Sequence, residues 1–108
     1  MAGQNFGGSD QTIGGTQTAI NITAPTLINP RRCVLWTVHI IAPGTAGLLT
    51  INDAASLDAA DDSNVLFSVE FGALTAGQVI PLRWPVTSGI VVSAVPTGAS
   101  VNIAFSYS

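Results

Sequence analysis

Apolar residues recur at every second position along this chain, and no stretch repeats them at the roughly 3.6-residue spacing of a helix. Val101, Ile103, Phe105 and Tyr107 alternate with Asn102, Ala104, Ser106 and Ser108. Val65, Phe67, Val69 and Phe71 alternate with Leu66, Ser68 and Glu70. Val34, Trp36, Val38 and Ile40 fall on one side of an extended segment, and Leu35, Thr37, His39 and Ile41 on the other. Successive side chains of a strand point to opposite faces, so each pattern sets one face against a core. Strict alternation makes Trp36 a core residue, beside Val38 and Ile40.

Turn chemistry separates the runs. Pro43-Gly44-Thr45-Ala46-Gly47, Thr75-Ala76-Gly77, Thr87-Ser88-Gly89 and Pro96-Thr97-Gly98-Ala99 each lie between or before apolar segments. Proline fixes φ and glycine allows positive φ, which tight connections require. The pattern predicts seven strands, near 16–23, 33–41, 48–52, 64–71, 78–84, 89–95 and 100–106, with a short eighth near 11–14. Strands at this spacing with no helical crossover predict an all-β fold, an antiparallel β-sandwich of jelly-roll type. Residues 1–15 are rich in Gly, Gln, Asn and Ser, with Phe6 and Ile13 as apolar anchors; that composition predicts a flexible N-terminal arm. Residues 16–108 then form the sandwich domain. The acidic segment 53–63 is expected to be a loop, with at most one helical turn capped by Asp53 or Ser56.

Charge is scarce. Asp10, Asp53, Asp58, Asp61, Asp62 and Glu70 face Arg31, Arg32 and Arg83, with no lysine, so 8% of residues are charged. Soluble domains average about 25%. Mean hydropathy is +0.50. A small domain has much surface for its volume, and here Thr, Ser, Asn, Gln, Gly and Ala must cover it. An outside with so few ions points to contact with other protein, and hence to an assembly component. Free-standing sheets guard their edges with Lys, Pro, bulges or short strands. The last run, Ser100–Ser108, carries no charge to guard it, which suggests that a neighbour covers it. The arm is expected to lie along an adjacent subunit. A net charge of −3 offers no electrostatic basis for binding nucleic acid. No apolar run reaches the roughly 18 residues of a membrane helix, and Met1–Asn5 lacks signal-peptide features, so synthesis in a cytoplasm and no membrane partner are expected.

Catalytic chemistry has little to build on. His39 is the only histidine and Cys33 the only cysteine. A general base needs a nucleophile in reach and a third group to orient it, and zinc needs several Cys or His ligands. Both residues are expected to be structural, and neither catalysis nor a cofactor is expected. Asp58, Asp61 and Asp62 offer oxygens, but the loop lacks the glycine and closing glutamate of a calcium-binding EF-hand, so no metal is assigned. The same loop, with Arg31 and Arg32, is expected to meet a partner. Trp84, before Pro85, is expected at a core edge or subunit interface.

Two segments carry a family resemblance: Gly77-Gln78-Val79-Ile80-Pro81-Leu82-Arg83-Trp84-Pro85 followed by Ser88–Gly98, and Leu49-Thr50-Ile51-Asn52-Asp53-Ala54-Ala55. Over residues 30–106 the chain resembles small β-rich virion proteins of tailed bacteriophages. That resemblance implies a structural protein of the virion, best fitted to a head decoration (cement) protein on the capsid surface, made in the host bacterial cytoplasm. It implies a dimer or trimer that binds the phage major capsid protein. Related modules also serve in tails and fibres, so a component that holds host glycan through surface loops is the alternative. No catalytic residue is carried over.

Overall fold

The computed structural model describes residues 16–107. The chain is all-β: β1 (Thr16–Ile22), β2 (Thr26–Asn29), β3 (Cys33–Ala42), β4 (Leu48–Asp53), β5 (Val65–Glu70), β6 (Val79–Val86), β7 (Ile90–Ala94) and β8 (Ser100–Tyr107). A single turn of 3-10 helix, Phe71–Ala73, follows β5. Seven strands match the expected runs. A further described strand, β2, lies between Pro25 and Pro30; the short run expected near 11–14 lies outside the described residues. Four residues between two prolines leave too short a run to show a period.

Two four-stranded antiparallel sheets pack together, in the orders β1-β8-β3-β6 and β2-β7-β4-β5. The pairings are nested. β1 pairs β8, β2 pairs β7, β3 pairs β6 and β4 pairs β5, so the chain runs as one long folded hairpin. Leu35, Val38, Ile40, Val101 and Ile103 of the first sheet meet Leu49, Ile51, Ile90 and Val92 of the second, all fully buried. Burying each such side chain contributes about 1.5–3 kcal/mol before entropy losses.

Two expectations need correction. Ser100–Tyr107 is no open edge, because β8 lies between β1 and β3. The real edges are blunted within the chain, by Pro81 and Pro85 in β6, by the shortness of β2, and by register breaks at Ile20–Asn21 in β1 and at Leu66 in β5. Trp36 is not in the core either: it is 37% exposed while Leu35 is 0% exposed. Leu35 pairs Phe105 and Thr37 pairs Ala104, its neighbour on β8, so Trp36 is an extra residue in β3. On the other side Trp36 faces two residues of β6, Leu82 and Arg83, and Arg83 takes a left-handed φ of 55°. A bulge shifts the alternation by one. Val34 and Trp36 therefore face outward, and Val38 and Ile40 inward.

Candidate interaction surface

The connections alternate between the two ends of the sandwich. Turn 30–32, loop 54–64 and turn 87–89 share one end with Thr16 and Tyr107, since Cys33 pairs both Val86 and Tyr107 and Ile90 pairs both Asn29 and Asp53. Segments 23–25, 43–47, 71–78 and 95–99 share the other, where Thr45 N–H donates to Thr97 O, Thr97 N–H to Ala46 O and Phe71 N–H to Gly47 O. The charges divide unevenly. Arg31, Arg32, Asp53, Asp58, Asp61 and Asp62 lie at the first end and Arg83 toward it, leaving Glu70 as the only described charge at the second. Arg31, Arg32, Asp58, Asp61 and Asp62 are all exposed. Phe6 and Ile13 lie outside the described residues.

The acidic loop is built rather than loose. Asn52, one residue on from inward-facing Ile51, points away from the core yet is only 2% exposed. Its amide donates to Asp61 O at 2.9 Å and Asn64 Oδ1 at 2.8 Å, and its Oδ1 accepts from Ser93 Oγ at 2.6 Å. Asn64 in turn donates to Ala59 O at 2.9 Å. The loop thus folds back over the outer face of the second sheet, where Val91, the partner of Asn52 in register, is also buried. Ser56 caps a turn, accepting from Ala59 N–H at 3.2 Å, as the sequence suggested. Asp61 accepts from both Ser63 N–H and Ser63 Oγ, and these bonds hold its carboxyl below the usual range. Among the described residues no group of three or more His, Cys, Asp or Glu side chains is placed to hold a metal, and no pocket forms.

Asp53 does not cap that loop. Its carboxylate reaches across to the β6–β7 turn, accepting from Thr87 N–H, Thr87 Oγ1, Ser88 N–H and Gly89 N–H at 3.1, 2.9, 2.8 and 3.3 Å. Partial burial pushes its pKa up, but the four donors outweigh this and the net shift is downward. A depressed folded-state pKa stabilises the protein above the ordinary aspartate range, and that stability is lost as pH falls through the folded value. We expect thermal melts of the native chain to weaken steeply through that acid window. Asp53→Asn should melt with a flatter pH profile there and should be less stable at neutral pH by about 1–3 kcal/mol. Equal pH profiles for the two chains would show that the clamp does not depend on charge.

Cys33 is 1% exposed, and burial raises its thiol pKa, which suppresses the nucleophilic thiolate. His39 is exposed on the outside of β3, opposite Asn102 and Val79. Trp84 stands opposite Leu35 on the edge strand β6 and is 41% exposed. Sequence reasoning missed the feature beside it. Trp36 Nε1 donates to Ser106 Oγ at 2.7 Å, and the Arg83 guanidinium lies over its ring, 5.8 Å from the centroid. Such a stacked cation adds about 0.5–1 kcal/mol at an exposed site and holds both groups in a fixed pose. No local motif marks the pair, because two bulges on neighbouring strands create it.

No family model, curated protein or solved structure matches this chain.

Proposed function

We propose that the chain is a virion structural protein of a tailed bacteriophage, acting as a head decoration protein that stabilises the capsid lattice. The scarcity of charge carries this reading. Over most of the described surface, small polar and apolar residues stand where an independent domain of this size carries ions. The nested pairing of eight strands supports a jelly roll, an architecture that recurs in viral capsid proteins and lectins; fold alone does not fix a role. The resemblance of segments 49–55 and 77–98 to phage virion modules supports the same class.

The mechanism is mass action. A protein that binds only the assembled lattice stabilises that lattice in proportion to its saturation. A dimer or trimer bridging several capsid subunits gains avidity without new contacts. The contact set comprises Phe6 and Ile13 of the arm, Arg31, Arg32, and the loop bearing Asp58, Asp61 and Asp62. The test is co-sedimentation with shells assembled from the major capsid protein encoded nearest the gene. Saturable retention on shells, with none on unassembled subunits, is expected; equal or absent binding to both would refute a decoration role.

A second reading has its own support. Trp36 and Trp84 are both exposed, and flat indole faces stack on sugar rings. A tail or fibre component holding host glycan would bind a glycan array through these residues and lose that signal in Trp84→Ala.

A further inference from the structure

We propose that the outer face of the β1-β8-β3-β6 sheet is the seat of the chain's own residues 1–15. This rests on the fold rather than on the proposed role in a virion, and it reassigns Phe6 and Ile13 from a partner contact to an intramolecular one. Both sheets carry exposed apolar side chains. On the second, loop 54–64 buries Asn52 at one end, and Leu27, Leu48 and Val65 stay 38, 49 and 41% exposed. On the first, Trp36, Ile41 and Val79 remain 37, 51 and 49% exposed. Their surroundings are small or polar: Thr18, Ala104, Thr37 and Pro81 share one line across the sheet, and Asn102 and His39 lie on the next. Among the described residues of these four strands, Arg83 is the one permanent charge. Bulges aim Trp36 and Arg83 outward, and the Ser106 hydroxyl and the stacked cation fix the indole. A surface prepared in this way is shaped for contact.

The chain's own N-terminal segment begins beside it. Thr16 pairs Ser106, the residue that holds Trp36. Ile13 stands three positions before Thr16, a reach of about 10 Å. Trp36 lies two strands from β1, also about 10 Å at the usual strand spacing. Asp10, the segment's one charged side chain, has a reach of about 20 Å, enough to meet Arg83 on the third strand from β1. Phe6, with about 33 Å of chain, reaches Ile41 and Val79 near the far end. Gly14 and Gly15 carry no side chain to oppose the reversal over the sheet. The composition is matched as well: apolar Phe6 and Ile13 for an apolar face, and one acid for its one base. Tethering favours this occupant over a second copy, because a short connection gives an effective concentration of about millimolar.

The test uses the full chain carrying Trp84→Phe, so that Trp36 is the only indole. Its emission should be blue-shifted and protected from acrylamide, equally at low and high protein concentration. Adding Phe6→Ser and Ile13→Ser should shift emission to the red and raise quenching. Asp10→Asn, which removes only a charge, should raise quenching by a smaller step and guards against a folding defect in the double variant. Quenching that is the same in all these chains would overturn the proposal. So would protection that grows with protein concentration, which would assign the face to a second copy.

Discussion

Gly89→Ala should cripple folding, with a loss of more than about 4 kcal/mol, in the range that single substitutions reach only through strain or gross packing faults. Gly89 is buried in the turn that Asp53 clamps, and its carbonyl accepts from Ala54 N–H at 3.0 Å. A Cβ there would stand 2.5 Å from Ala54 O and closer still to Asn29 O, with Pro30 C at 3.2 Å. All three are backbone atoms of the turns that join the strands at the charged end, so no side chain can swing aside to make room. Against a typical total of about 5–15 kcal/mol, such a loss leaves little native protein. Gly77→Ala is the control. Its φ of 84° strains any other residue, but nothing lies within 4 Å of the new Cβ, so a cost of only about 1–2 kcal/mol is expected. Thermal melts of the two variants decide the matter. If Gly89→Ala melts within about 5 °C of the parent, the shift that roughly 1 kcal/mol produces, the close approach of the three turns is wrong.

These contacts also mark where sequence reasoning ran out. The alternation of Val101, Ile103 and Phe105 was legible because β8 has no bulge, and all three are buried as expected. The position of β8 between β1 and β3 was not legible, because a strand's own pattern does not name its neighbours. Its uncharged sequence suits an interior strand, and the edges are guarded by prolines and bulges instead of lysine. Asp53 was read as a cap for the loop that follows it, since capping is a local signal. Its donors lie 34 to 36 residues away, on a turn brought near by the pairing of β4 with β7. Arg31, Arg32, Asp58, Asp61 and Asp62, named as proposed contacts from charge and turn chemistry, are exposed at the charged end. The Trp36–Arg83 pair was missed because it depends on phase within β3.

Phase gives the second large effect. Leu35→Ala should cost about 2–5 kcal/mol, whereas Trp36→Ala, the removal of a far larger side chain one position on, should cost about 1 kcal/mol or less. Strict alternation predicts the reverse order, with Trp36 inside beside Val38 and Leu35 outside beside His39. The bulge inverts it. Leu35 is 0% exposed, paired with Phe105 on one side and Trp84 on the other, and truncating it opens a void in a sheet that cannot collapse around it. Trp36 gives up one hydrogen bond to Ser106, a stack with Arg83 and the proposed contact with residues 1–15, none of which opens a void between the sheets. Val34→Asp and Val38→Asp extend the test along the strand. Val34 is half-buried on the outer side and Val38 is fully buried on the inner, so the first should fold and the second should not. Denaturant titrations of the four variants rank them directly. If Trp36→Ala proves costlier than Leu35→Ala, β3 runs without its bulge, and the outward pose of Trp36 and Arg83 falls with it.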